Sequence, residues 1–249
     1  MRKSITMRKT FRNLALLLAV LASLCAAATP GSVPLSSLQL NGWAQLMSYG
    51  SINLTNDNGQ ASSAFIPTPF TLGTNDSFSA FFVYQSQQEF GQCVADGLAF
   101  VVQSTAQGPG YLGEDGSGLG FFTGTASPAL GVTFDYYANQ ITGTPPNAAA
   151  IATANGADLV WITPNPPALA GAGEYRYVWV TYQRLNRIMR VYYSATPTHP
   201  VTPLLQTAFQ VDTSIFEKPV YFGITAGTGS CYSHQDLISL WLDVQNAPN

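Results

Sequence analysis

Hydrophobic and polar positions alternate in short runs along most of this chain. Residues 77–85 place Phe78, Ala80, Phe82 and Tyr84 on one face, the period-2 signature of a half-buried strand. Residues 97–103, Gly-Leu-Ala-Phe-Val-Val-Gln, form instead a continuous apolar run that suits a strand covered on both faces. Further strand runs fall at 130–135, 175–182, 187–193, 219–225 and 237–244. Clusters of Gly, Pro, Asn and Thr, such as Gly108-Pro109-Gly110, lie between them and read as turns. Residues 143–174 are rich in Ala, Pro and Asn and read as loops within the same domain. No stretch carries a long 3.6-residue apolar period with caps. Many short strands joined by turns predict an all-β, antiparallel sandwich or barrel.

Composition agrees with that class. The 249 residues are 46% hydrophobic and 9% charged, too apolar for a disordered chain and too poor in charge for a coiled coil. The net charge of −3 hides an asymmetry. Arg2, Lys3, Arg8, Lys9 and Arg12 are five of the ten basic residues, and no acidic residue precedes Asp57. Beyond residue 12, five basic residues face 13 acidic ones, a net −8. An acidic body argues against nucleic acid and anionic membranes as partners.

The basic segment is followed by an apolar one, 14–28, that closes with Ala26-Ala27-Ala28 before Thr29-Pro30. This order predicts a signal peptide over 1–28, a mature domain over 29–249, and a secreted or periplasmic protein. The apolar run is short for a membrane span. The mature chain keeps two cysteines, Cys93 and Cys231, and export permits a disulfide without proving one.

Candidate catalytic patterns are missing. There is no Gly-x-x-x-x-Gly-Lys loop, no Gly-x-Ser-x-Gly elbow and no His-Glu-x-x-His helix. Glu89, Glu114, Glu174 and Glu217 are scattered, whereas glycoside hydrolysis needs two carboxylates flanking one bond. The expectation is a protein without catalysis.

Three segments together carry a resemblance. They are Val94-Ala-Asp-Gly-Leu-Ala-Phe-Val-Val-Gln103; Gly116-Ser-Gly-Leu-Gly120 with Val132-Thr-Phe-Asp-Tyr-Tyr-Ala-Asn139; and Val220-Tyr-Phe-Gly-Ile-Thr-Ala-Gly-Thr-Gly229 with Asp236-Leu-Ile-Ser239. In this order they resemble the legume-type (L-type) lectin family over roughly 36–244. The opening, Leu38–Gly42, Ile52–Thr55 and Ala61–Phe65, looks like its exported, bacterial-type members.

The resemblance implies a jelly-roll, concanavalin-like sandwich of a flat and a curved sheet, with a shallow sugar site in loops on the curved face. Asp96, after a cis peptide, would accept two hydroxyls. Ser117 and Gly118 would offer backbone N–H groups, although Ser117 stands where the family has glycine and Gly110–Gly113 is an alternative match. Tyr137 would stack on the sugar and Asn139 would donate to a hydroxyl. Ser230 and Tyr232 fall in the last specificity loop, where Cys231 would pair with Cys93. Asp135, the Tyr137 carbonyl and Asn139 would ligate calcium, an oxygen set that suits the ion. The family's transition-metal glutamate is Thr133 here, and the later aspartate and histidine have no counterpart, so that second metal is expected to be lost and calcium to be weak or absent. Asp96-Gly97 and the 135–139 segment also read, on their own, as turns at strand ends. The expected partners are glycans, with a homodimer through the flat sheet as a further expectation. The competing reading is a structural or protein-binding domain whose sugar and metal site has decayed.

Overall fold

The computed structural model describes residues 31–245 except 126, 140, 142, 144, 156–159, 163–167, 170–171 and 208–212. The signal segment expected at 1–28 lies outside the described residues. A two-residue strand, β1 (Ser32–Val33), opens the described chain.

Two antiparallel sheets make the fold, as the alternation predicts. The first has the spatial order β13 (Leu205–Gln206), β12 (Ile188–Ser194), β11 (Ala172–Gln183), β6 (Ser77–Gln88), β15 (Ser233–Gln245), β4 (Ile52–Thr55), β3 (Gln45–Leu46). The second has the order β10 (Val160–Ile162), β9 (Ala148–Thr153), β8 (Ala129–Asp135), β7 (Gly97–Gln103), β14 (Tyr221–Gly227), β5 (Ala61–Phe65), β2 (Gln39–Gly42). In β6 the side chains of Phe78, Ala80, Phe82 and Tyr84 are buried, while Ser77, Ser79, Phe81 and Gln85 are only partly so. Val178, Val180 and Tyr182 of β11 and Met189, Val191 and Tyr193 of β12 continue that inner face. Opposite them, Leu98, Phe100, Val102, Phe134 and Phe222 come from the second sheet. The rings meet across the gap: Phe82 stacks on Phe100 at 6.1 Å, and Phe78 meets Phe222 edge-on at 4.9 Å. Each such fully buried ring removes enough apolar surface to contribute about 2–3 kcal/mol.

The second sheet is covered on its other face too, which explains the unbroken apolar run of β7. Ala99 and Val101 point away from the sheet–sheet core into a second cluster with Phe65, Tyr111, Leu119, Phe121 and Phe122. The excursion between β7 and β8 supplies most of that cover. It is pinned by Tyr111 Oη donating to the Phe121 carbonyl (2.5 Å), Ser63 Oγ to the Tyr111 carbonyl (2.6 Å) and Asn41 Nδ2 to the Pro109 carbonyl (2.9 Å).

One expectation needs correction. Residues 143–174, read as loops, contain β9 and β10 and the start of β11. The Ala148-Ala-Ala-Ile-Ala-Thr153 strand has no aromatic residue and is two-thirds alanine, with Ile151 and Thr153 as its β-branched residues, a weak strand signal. It is a strand because β8 offers it six paired positions and because it is buried on both faces, where alanine's small side chain fits between two cores.

Candidate functional site

The registers bring one set of loops to one end of the sandwich. Gly97 pairs with both Asp135 and Gly227, Ala61 pairs with Gly227, and Gln88 pairs with Ser233. The segments 56–60, 89–96, 136–147 and 228–232 therefore all emerge at the same end. Gly97 sits at φ +149°, and a Cβ there would lie 2.1 Å from the Phe134 carbonyl oxygen, so only glycine lets β7 begin this close to β8.

Asp96 is at the centre of that end. The Ala95–Asp96 peptide is cis, as the resemblance implies. Its backbone is tied on both sides: Asp96 N–H donates to the Gly227 carbonyl (3.1 Å), and its carbonyl accepts from the N–H groups of Tyr136 (2.8 Å) and Tyr137 (3.4 Å). The side chain has less support, and what it has comes from a backbone hydrogen bond of Gly229. Oδ2 is buried and has no hydrogen-bond partner. It lies beside Gly229 and Gly116, where a Cβ would come within 3.2 and 4.0 Å of it. Burial pushes the carboxyl up to about 6; the Gly229 backbone opposes this, and the negative charge of Asp115 adds to it. A buried acceptor next to glycines that leave room for a ligand is a group prepared to take hydroxyls.

Asp135 and Asn139 are brought together and buried at 1% and 3% exposure. The Asp135 oxygens accept from Thr133 Oγ1 (3.1 Å) and Asn139 Nδ2 (2.6 Å). Asn139 Nδ2 also donates to the Ser117 carbonyl (3.0 Å), and Asn139 Oδ1 accepts from the Ile141 N–H (2.9 Å). This donor set contains one carboxylate, and Thr133 occupies it where the family would place a glutamate. Among the described residues no group of three His, Cys, Asp or Glu side chains converges. Calcium takes six to eight oxygens, usually with several carboxylates. The residues present do not fit the family's two-metal centre.

The other candidate residues are distributed around Asp96. Tyr137 is half exposed at the head of its loop. Ser117 lies in a 3-10 turn, Gly116–Gly118, that is anchored by Gly116 N–H on the Thr228 carbonyl (3.0 Å). Gly118 is buried, its N–H already donates to the Asp115 carbonyl (2.8 Å), and a Cβ would lie 2.7 Å from Glu114 Cβ, so its glycine serves packing. Ser230 is exposed and Tyr232 half-buried in the 228–232 segment. Cys93 and Cys231 form a disulfide with Cα atoms 5.2 Å apart, joining that segment to 89–96. Ser233 Oγ, donating to the Ala95 carbonyl (2.9 Å), reinforces the join. Trp179 and Trp241 lie on the outer face of the first sheet, away from these loops, and Trp43 is exposed just after β2, its N–H donating to the Ala61 carbonyl (3.3 Å).

A two-sheet sandwich whose loops gather a carboxylate with an unpartnered buried oxygen, an exposed tyrosine and a disulfide at one end defines a lectin-type domain. Residues 32–247 match the legume lectin domain family, and the chain belongs to that family. A curated relative, the L-type lectin-domain containing receptor kinase VIII.2 of Arabidopsis thaliana, is 27% identical over 224 residues. The match takes in 82% of this chain and 30% of that protein, so the chain spans under a third of its relative's length. Among solved structures, the Bauhinia forficata lectin in complex with GalNAc superposes with TM-score 0.70 at 21% identity, covering 87% of this chain and 98% of that one. Peanut lectin with a nine-residue peptide superposes with TM-score 0.68 at 21% identity, covering 86% and 93%. These two establish the sandwich fold.

Proposed function

We propose that this domain binds mono- or oligosaccharides at the loop end centred on Asp96. The observation that carries the reading is the buried Asp96 Oδ2 without a hydrogen-bond partner, next to Gly116 and Gly229. A saccharide presents paired hydroxyls and an apolar C–H face. Asp96 accepts the hydroxyls, backbone near Ser117 and Ser230 completes the polar contacts, and the Tyr137 ring covers the C–H face, with Tyr232 as a second ring. Few fixed polar groups and an aromatic wall are the usual design of a small-ligand site.

Thr133, Asp135, Asn139 and Ser117 hold the 135–143 loop by hydrogen bonds, the work that metal does elsewhere in the family; any calcium binds weakly. Secretion or export to the periplasm is supported by the basic, apolar, small-residue order of 1–28 and by the disulfide. Among the described residues no helix is long and apolar enough to cross a membrane. The named relatives are plant proteins and lend no support to the bacterial-type expectation. A homodimer is supported by an aromatic row on the outer face of the first sheet. There Tyr192, Trp179, Phe81 and Trp241 are neighbours in register across β12, β11, β6 and β15. Light scattering on the eluted protein measures that state directly.

The test of the site is a glycan array of the folded protein, with calcium and again with chelator, beside Asp96→Ala. Binding in both lanes, lost in the variant, is the expected result. No binding by folded wild type in either lane would favour a scaffold that kept the sandwich and lost the sugar, the alternative that Thr133 at the metal glutamate position supports.

A further inference from the structure

Two Asn-x-Ser/Thr triplets occur in the chain, Asn53-Leu54-Thr55 and Asn75-Asp76-Ser77. Such a triplet is the acceptor for N-linked glycans in exported proteins, and the bulky product has to stand on the surface. The fold treats the two triplets oppositely.

Asn53 lies in β4, paired with Gln45 of β3 on one side and Asp236 of β15 on the other. It is 7% exposed. Its Nδ2 donates to Asp236 Oδ1 (2.9 Å) and to the Thr55 carbonyl (3.3 Å). The hydroxyl of the triplet is engaged as well: Thr55 Oγ1 donates to the Ser233 carbonyl (3.1 Å) and accepts from Gln235 Nε2 (2.9 Å). A sugar on Asn53 Nδ2 would replace one of the two hydrogens in use and leave a buried acceptor stranded. It would also have no path to solvent, so a chain modified there could not close the first sheet.

Asn75 is exposed, in the turn at 73–76 that precedes β6. Its side chain is not needed to close that turn. Asp76 N–H donates to the Gly73 carbonyl (3.1 Å), and Gly73 N–H donates to Asp76 Oδ2 (2.5 Å). Ser77, which supplies the hydroxyl, is partly exposed at the first position of β6. At this end β6 pairs with Gln183 and Gln245, whereas its other end, Gln88, pairs with Ser233 beside the Asp96 loops. Twelve residues of strand separate the two ends, roughly 36 Å at the rise of an extended chain.

We propose that Asn75 is the N-glycosylation site of this protein and that Asn53 stays unmodified. The donor is an oligosaccharide carried on a lipid pyrophosphate. Asn75 Nδ2 forms a bond to C1 of the first sugar, and the C1–O bond to the pyrophosphate breaks. The lipid pyrophosphate leaves with the electron pair and takes up the displaced amide proton. The glycan then stands at the end of the sandwich opposite Asp96 and leaves that site clear.

This rests on export of the chain, and the test separates the two. The full chain is expressed in eukaryotic cells, and medium and lysate are both collected. Peptides spanning positions 53 and 75 are mapped by mass spectrometry before and after peptide N-glycosidase, with melting curves to verify folding. Secreted wild type carries a glycan on Asn75 and none on Asn53. Asn75→Gln and Ser77→Ala each lose it and stay folded, and Ser77→Thr keeps it. Secreted, folded wild type with no glycan on Asn75, or with one on Asn53, overturns the proposal while leaving export standing. Wild type that stays in the lysate overturns the export reading and the modification together.

Discussion

Two loop walls border Asp96, and they are held by different means. The wall made of 89–96 and 228–232 is closed by a covalent bond, Cys93–Cys231, backed by Ser233 Oγ on the Ala95 carbonyl. The wall that begins at Asp135 is held by neutral donors: Thr133 and Asn139 donate to the Asp135 carboxylate, and Asn139 also to the Ser117 carbonyl. A disulfide acts largely by restricting the unfolded chain, so its contribution is spread over the whole domain. A buried hydrogen-bond cluster acts locally, and its cost appears when one partner is removed and another is left stranded. The first wall should therefore fail globally and the second locally.

The largest expected effect follows from the covalent wall. The bridge closes a sequence separation of 138 residues. In the chain-entropy description that is worth about 5 kcal/mol. For a domain of this size, replacing Cys93 and Cys231 with serine should lower Tm by roughly 10–20 °C. Calorimetry of the double variant checks this; a melting point within a degree or two of wild type would remove the bridge as a global constraint. The hydrogen-bonded wall should respond less and differently. Asn139→Ala removes the amide that donates to Asp135 and to the Ser117 carbonyl, at about 1–3 kcal/mol of stability. Glycan affinity should fall with it, because Ser117 lies in the turn beside Asp96. Unchanged affinity in a destabilised Asn139→Ala would show that this loop supports the fold but not the site.

The same contrast explains what was legible in the sequence. Strands with alternating or strongly apolar runs, β6, β7, β11, β12 and β15, are visible because each carries its own burial pattern. The alanine strand β9 is not, since its conformation is imposed by β8 and two cores and not by its own propensities. The cis peptide and the cysteine pairing followed from a resemblance; no local pattern encodes either. The state of Asn139 was hidden for another reason. Its residue type suits a metal ligand, a sugar donor or a loop clasp, and only the placement of Asp135, Ser117 and Ile141 shows its amide engaged within the protein.

The smallest effect, and the sharpest on the site itself, is the pH dependence. The folded-state pKa of Asp96 is raised from 3.8 to about 6, chiefly by burial. The folded protein thus holds this proton more tightly than the unfolded chain does, so the group opposes folding above pH 6. That opposition is relieved as pH falls through the folded value and is gone below the unfolded one. Ligand binding has the opposite sign. Hydroxyls donate to the carboxylate form, and between about pH 7 and about pH 5 its population in the free protein falls about tenfold. Glycan affinity should fall by about that factor, while the ligand-free domain gains stability from this group over the same range. Asp96→Asn should flatten both trends, which separates them from any titration of His234 against Glu89. An affinity that stays level across this range in wild type would mean that Asp96 meets its ligand without its charge, and the unpartnered oxygen would then need another explanation.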